Sequence, residues 1–557
     1  MKKVVSTIFS IALSALTLTT LAQSGNKKPY SFSNLPVVAK TSFKADTINI
    51  LKYGAVSDGI TLNSKAINDA IVACNKKGGG VVLVPKGLWL TGPIELKSNV
   101  NLHLQKNAIL QFTKDFDQYP LVASNWEGLS QMRNQSPLWA VNQTNIAITG
   151  FGIIDGAGDA WRMVKKDKLT ETQWKRLVAS GGVVGEDKKM WFPTQQSVTA
   201  AKMKNPGEIT ADKTPEFYQS IKDFLRPNLL VFTSCKRILL EGVTFQNSPA
   251  WNIHPLMCED LIVRNVYAKN PWYAQNGDGI DIESCKNVLI EGSTFDVGDD
   301  GICIKSGRDA AGRKRGMPTE NVIIRNSTVY HAHGGFVIGS EMSGGAKNIF
   351  VYDCSFIGTD IGLRFKTTRG RGGVVENIFI KNINMKDIIG EAILFDMYYA
   401  AVDPVPLTGE KRDAPKIQLL PVTEETPIFR DFYIDNVVCD GASKAVFVRG
   451  LPELSISNIT LNNLHIKAKE GIDLQEAKNV KLNNVNLTVN DASPLINIQN
   501  GKDISFTNVK YNTANVLFRI SGENNSAIKS SGLDASKAKQ KAEFVAGAAE
   551  NSLQINK

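Results

Sequence analysis

Three aspartates interrupt runs that otherwise read as alternating β-strands. The segment QNGDGIDIES, Gln275 to Ser284, carries Asn276 and Asp278 two positions apart, and VGDDGICIKSG, Val297 to Gly307, carries Asp299 and Asp300. Asp278 and Asp299 are 21 residues apart, about one coil of a fold built from short stacked strands. Strands stacked in register lie ~4.8 Å apart, so the three carboxylates are expected side by side. Asn276 and Asp278 are read as sharing a strand face. Gly298 and Gly301 are read as a kink or bulge that turns both Asp299 and Asp300 outward. Carboxylates this close repel, and at least one is expected to keep a proton near neutral pH. A carboxylic acid beside a carboxylate suits cleavage of a glycosidic bond: the acid protonates the leaving oxygen and the carboxylate activates water. A calcium site or turn-capping aspartates are the alternatives for the same residues.

Two further segments continue the series. HAHGGFVIGSEMSGG, His331 to Gly345, places His333 before Gly334 and Gly335, where a ligand can approach backbone closely. A histidine beside carboxylates can hold a proton and hydrogen-bond the acid; His331 is the lesser candidate on the same face. GLRFKTTRGRGG, Gly362 to Gly373, puts Arg364 and Lys366 on one strand face with Phe365 turned to the core. With Arg369 and Arg371 nearby, these cations suit a carboxylated sugar, which arginine grips through two hydrogen bonds. Ion pairing to the aspartates is the other use for them.

The elements that position these residues come from a repeat. A polar residue, often Asn, precedes a β-branched alternating run, as in CKRILLEGVTF, CEDLIVRNVYA, CKNVLIEGSTF, ENVIIRNSTVY, KNIFVYDCSF and ENIFIKNINM. The register residues Arg237, Asp260, Asn287, Asn321, Asn348 and Asn377 are spaced 23, 27, 34, 27 and 29 apart. Short strands at such a period, without the leucines of leucine-rich repeats, predict a solenoid, all-β, of parallel β-helix type. Asn at a fixed turn position fits, because Asn tolerates left-handed backbone. The segment Asn63 to Lys76 has apolar residues at helical spacing and is read as an α-helix capping the open end. Residues 157–225 break the repeat, are charged and partly helical, and are read as an insertion that walls the site.

Composition bounds the rest. The chain has 557 residues, 43% hydrophobic, with a formal charge of +10. Residues 1–22, with Lys2, Lys3 and an apolar run, read as a signal peptide, and 23–47 as an N-terminal linker. Residues 48–524 are assigned to the β-helix and 525–557 to a tail or capping helix. Export to the periplasm or exterior of a Gram-negative bacterium is expected. The basic residues are dispersed, which argues against nucleic acid as a partner, and no later segment is apolar enough for a membrane span. Seven cysteines without a CxxC are read as small buried residues rather than a metal or redox motif.

The four motifs together resemble glycoside hydrolase family 28, the polygalacturonases. Asn276-Gly277-Asp278, Asp299-Asp300, Ala332-His333-Gly334 and Arg364-Phe365-Lys366 stand, in order, where that family has Asn-Thr-Asp, Asp-Asp, Gly-His-Gly and Arg-Ile-Lys. The resemblance runs from about residue 48 to 510. It implies a right-handed parallel β-helix, with Asp299 as general acid and Asp278 and Asp300 activating water to give inversion. It implies that His333 supports the acid, that Arg364 and Lys366 bind the galacturonate carboxylate beside Asn276, and that Tyr398 lines the cleft. Gly277 and Ala332 depart from the family pattern and are expected to loosen or reshape a subsite. The phrases GGFVIGSEMSGG and FKTTRGRGG are similar to exo-acting bacterial members. The expected activity is hydrolysis of polygalacturonate in pectin by a monomer, without metal or cofactor. Rhamnogalacturonan hydrolysis, a calcium-dependent lyase and a non-catalytic glycan-binding β-helix remain as alternatives.

Overall fold

The computed structural model describes residues 29–399 and 419–556. The signal-peptide reading of residues 1–22 falls outside them. Residues 29–35 form a turn closed by backbone bonds between Ser31 and Asn34. Residues 36–399 and 419–556 form a right-handed parallel β-helix.

The repeat generates this fold directly. Ile238, Leu261, Val288, Val322, Ile349 and Ile378 stand in parallel register, each above the last. All six are buried in one continuous core. Burial of a side chain of this kind is worth about 1.5–3 kcal/mol, and each strand gains it only through its neighbours. The register residues take left-handed backbone as expected, from Arg237 (φ 52°) to Asn377 (φ 57°). Asn287 donates to Asp260 at 3.1 Å, Asn321 to Asn287 at 3.1 Å and Asn348 to Asn321 at 3.2 Å. This side-chain ladder satisfies polar groups along one corner of the solenoid from Asp260 to Asn348. The seven cysteines are buried and free.

The helix Ser64–Lys76 buries Ala66, Ile67, Ala70, Ile71 and Cys74 against the first coils, which makes it the expected cap. At the other end the expectation is corrected. Residues beyond 524 continue the solenoid: Ser526–Ser531 pairs with Lys502–Tyr511, Ala538–Val545 with Ala514–Ser521, and Leu553–Ile555 with Ser526–Ser531. Their Ser, Lys and Glu content reflects strands exposed on the outer face, and the composition hid the period. The expected linker is also tied down in part. The Ala39 N–H donates to Asp260 at 3.1 Å, and Ser42 exchanges two hydrogen bonds with Asn145.

Two departures from the solenoid flank the site. A hairpin pairs Leu121–Trp126 with Leu129–Asn134 around Glu127-Gly128. The insertion has two parts. Its first holds the helix Glu171–Ala179 and a small sheet of Val164–Lys165, Val183–Val184 and Met190–Phe192, packed through Val164, Trp174 and Trp191. Its second buries Ala200, Tyr218, Ile221 and Leu225, with Leu121 and Met132 of the hairpin against them.

Candidate active site

The site forms where turns enter one sheet of the solenoid, at strands Ile280–Glu283, Ile302–Lys305, Phe336–Ile338 and Leu363–Lys366. Ile280, Ile302, Phe336 and Leu363 stack in register. The turns before them are laddered as well: Gly279 N–H donates to Asp300 O at 2.9 Å and Gly301 N–H to Gly334 O at 2.9 Å. Glycine is needed here for space, since a Cβ on Gly301 would meet Val329 at 2.4 Å.

Asp278, Asp299 and Asp300 each present an oxygen within 4.8 Å of the others. All three precede their strands rather than lying on them. The shared strand face expected for Asn276 and Asp278 is therefore replaced by a tight turn, with Asn276 at φ 51°. The kink expected at Asp299-Asp300 is the turn from Thr294–Asp296 to Ile302–Lys305. Gly277 loosens nothing, because a Cβ there would meet Ala274 at 2.8 Å.

The three carboxylates differ in surroundings. Asp278 and Asp300 are 3% and 1% exposed, whereas the Asp299 side chain is 22% exposed and lines a cavity of about 260 Å³. Arg364 Nη1 reaches Asp300 Oδ1 at 3.1 Å and Lys366 Nζ reaches its Oδ2 at 2.7 Å. Asp299 Oδ2 accepts the Asn276 N–H at 3.1 Å. His333 Nδ1 lies 3.4 Å from Asp299 Oδ1.

Burial alone would raise Asp299; His333, Lys366 and Arg364 outweigh it and hold the carboxyl below the usual carboxylate range. Burial also opposes ionisation of Asp300, and Lys366 and Arg364 again prevail. Asp278 goes the other way: burial, then the charges of Asp281 and Asp299, push it well above the ordinary value. The upward shift within the cluster thus falls on Asp278.

Several residues of the site were missed in the sequence. Asp281 is fully buried, points outward from Ile280–Glu283, and lies 3.6 Å from Lys305 Nζ. Burial raises its carboxyl strongly, with Lys305 opposing. The alternation Ile280-Asp281-Ile282 was the available signal. Asp360 Oδ2 lies 3.7 Å from His333 Nε2, so the imidazole stands between two carboxylates. Arg226 Nη2 donates to Asn276 Oδ1 at 3.0 Å, which fixes the side chain expected to meet substrate.

Tyr398 is corrected to Tyr399. The Tyr399 ring lines the cavity, 5.1 Å from Lys366 Nζ. The Tyr398 ring faces Arg369 and Arg449 instead, at 5.2 and 5.3 Å. Both tyrosines follow the strand Glu391–Asp396 in a turn, where adjacent side chains leave in different directions, so a one-residue shift changes which ring meets the cleft. Arg369 pairs with Glu453, and Arg371 bonds Asp309; neither lines the cavity. His331 pairs with Asp296 at 3.0 Å in a separate cavity of about 850 Å³ across Trp272 and Tyr273.

The three carboxylates are close enough to share a cation. Asp300 is already met by two side-chain cations. The arrangement therefore needs no further charge to do acid–base chemistry on a glycosidic bond.

The comparisons agree with this geometry. A model of glycosyl hydrolases family 28 matches residues 219–424, and one described as rhamnogalacturonase A/epimerase, pectate lyase-like, matches residues 47–173. A probable polygalacturonase of Vitis vinifera is 28% identical over 440 residues, 77% of this chain and 76% of its own. An exo-poly-α-D-galacturonosidase of Dickeya chrysanthemi is 27% identical over 466 residues, 81% of this chain and 72% of its own. The crystal structure of a hyperthermoactive exopolygalacturonase from Thermotoga maritima superposes with a TM-score of 0.62 at 29% identity, covering 85% of this chain and 93% of that one. Residues 219–424 carry a glycosyl hydrolase family 28 domain, and the chain is a glycoside hydrolase.

Proposed function

We propose that this enzyme hydrolyses the α-1,4-galacturonosidic bonds of polygalacturonate in pectin, with inversion and from a chain end, after export from the cell. The observation that carries the reading is that Asp299, alone of the three clustered aspartates, reaches the cavity, beside His333 and against Arg364, Lys366 and Tyr399.

Asp299 is the general acid. In the free protein the cations hold it ionised. A substrate carboxylate entering beside Arg364 and Lys366 offsets their charge, raises Asp299, and lets it hold the proton that it passes to the leaving oxygen, with His333 beside it. Asp278 and Asp300 hold the attacking water, and the ionised Asp300 takes its proton as the water oxygen bonds the anomeric carbon and the glycosidic bond breaks. Oxygens within 4.8 Å are closer than the ~6.5–9.5 Å of common inverting pairs and near the ~5 Å of retaining ones. Burial favours inversion: at 3% and 1% exposure, Asp278 and Asp300 can reach a small water more readily than a ring carbon.

The exo mode is supported by what covers the neighbouring coils. His254, Asp281 and Glu283 are fully buried although they point outward from the sheet that carries the site. The hairpin stacks Trp126 on Trp251 at 6.1 Å, and its Glu127 meets Arg308 at 3.4 Å. A polymer is thereby denied one direction along the sheet. The relatives named for exo action, from Dickeya and Thermotoga, agree.

The test is incubation with polygalacturonate in chelator. Saturated galacturonic acid should be released, initially as the inverted anomer by NMR. Asp299→Asn should lose on the order of 10³-fold in kcat. Saturated oligomers would remove the exo mode, and an unsaturated product requiring calcium would replace hydrolysis with elimination. A rhamnogalacturonan substrate is the second reading, favoured by the match of residues 47–173; cleavage of that polymer alone would establish it.

A further inference from the structure

The first part of the insertion brings two lysines to the catalytic cavity that belong to none of the four motifs. Lys165 ends the strand Val164–Lys165, and Lys168 ends the single turn Lys166–Lys168. Both line the cavity with Asp299, His333, Arg364 and Lys366, and both are half-buried. Their placement is built. Val164 is packed beside Trp174 and Trp191, Lys166 N–H donates to Lys189 O at 2.8 Å, and Trp272 Nε1 donates to Lys168 O at 2.9 Å.

The cations of the cavity divide into two kinds. Arg364 and Lys366 are both paired to Asp300, at 3.1 and 2.7 Å. Lys166, the lysine between the two in sequence, pairs with Glu171 at 3.4 Å and does not line the cavity. Lys165 and Lys168 show no ion pair among the described residues. Burial draws the Lys168 ammonium below the ordinary lysine value; Asp360 and Asp167 oppose this and Lys165 adds to it. Two unpaired cations in a half-buried wall are unfavourable in the free protein, and an entering anion would relieve them.

We infer that Lys165 and Lys168 form a second carboxylate-binding position, so that the site takes two successive free uronates. One carboxylate lies at Arg364, Lys366 and Tyr399, and the other at the insertion lysines. The inference rests on the galacturonan reading and narrows it to runs of unesterified uronic acid. A backbone in which uronate alternates with a neutral sugar, or a methyl ester on the second residue, leaves the lysines unmatched.

Steady-state kinetics on trigalacturonate and its methyl ester test this, with Lys165→Met and Lys168→Met removing charge while keeping most of the stem, and Lys168→Arg restoring charge. Each Met variant should raise KM for the free acid on the order of tenfold, the worth of a charge-assisted contact, with a smaller change in kcat. The preference for acid over ester should fall, and Lys168→Arg should recover most of it. Matching melting temperatures establish that the variants are folded; for any variant that is not, the glutamine replacement is measured instead. A KM within about twofold of wild type, or equal losses on acid and ester, overturns the inference while wild-type cleavage of galacturonate keeps the broader reading. A wild-type enzyme that neither cleaves nor binds trigalacturonate by calorimetry overturns both.

Discussion

The floor and the wall of this site are made by different means. The floor residues Asp278, Asp299, His333 and Arg364 come from successive coils, and their spacing is the spacing of the solenoid. Each is set by a backbone ladder beneath it, such as Ile280, Ile302, Phe336 and Leu363. The wall comes from the hairpin and the insertion. Its residues are placed by small local clusters, Val164 with Trp174 and Trp191, and Tyr218 with Ile221 and Leu225. A floor of this kind fixes chemistry, because no member moves without its neighbours. A wall of separate clusters can change what enters while the chemistry stays, which is how one fold serves several substrates.

The comparison is broken most severely from below. Phe295 is fully buried, and a Cβ on Gly279, next to Asp278, would lie 2.7 Å from its ring. Phe295→Ala should destabilise the enzyme by about 3–5 kcal/mol and reduce kcat as the Asp278 turn relaxes into the cavity left behind. Denaturant unfolding and single-turnover rates would show both. A stability loss with kcat intact would mean that the floor is less tightly coupled to its core than the ladder indicates.

A wall variant should act differently. Trp126 stacks on Trp251, and Arg133 lies over the Trp126 ring at 3.7 Å. Trp126→Ala should release the hairpin and add oligomers to a monomer product, with kcat/KM for polygalacturonate changed less than about tenfold, the span of one weak contact. Product profiles by chromatography decide it. An unchanged profile would leave the closure to the insertion, which the sequence alone favoured.

The same division explains what was legible in the sequence. Stacking turns sequence period into space, so the register asparagines and the four motifs could be read from spacing, and Asp278, Asp299, Asp300, His333, Arg364 and Lys366 do converge. Legibility failed where no period operates. Trp126 and Lys168 act through tertiary packing, and nothing in their local sequence shows which cavity they face. The hairpin did leave a trace in two alternating runs about Glu127-Gly128, a two-residue turn signal. The resemblance pointed to Tyr398, and period could not separate it from Tyr399, because the chain leaves the ladder after Asp396 and periodicity cannot count through an irregular turn. The C-terminal strands were overlooked because their composition is that of a polar tail, although Ile528 still stacks in register on Ile504.

The smallest effect lies within the floor and concerns its protons. Asp278 and Asp281 are both pushed up by burial and by their neighbours, so the folded protein keeps protons that the unfolded chain loses above its ordinary carboxylate range. With more protons bound in the native state, stability falls as pH rises, by up to about 1.4 kcal/mol per pH unit for each proton retained. Asp299, Asp300 and Glu341 are held low and have the opposite sign, losing their contribution only as pH drops below the ordinary range. Asp281→Asn removes one of these two coupled carboxyls and the proton that the pair retains through it. Its melting temperature should therefore gain on wild type steadily from pH 5 to pH 8, with little difference near pH 4. A constant offset across that window would place the retained proton elsewhere in the cluster. The wall variants Lys165→Met and Lys168→Met should leave the slope as it is, since neither lysine is among the main charges acting on Asp278 or Asp281.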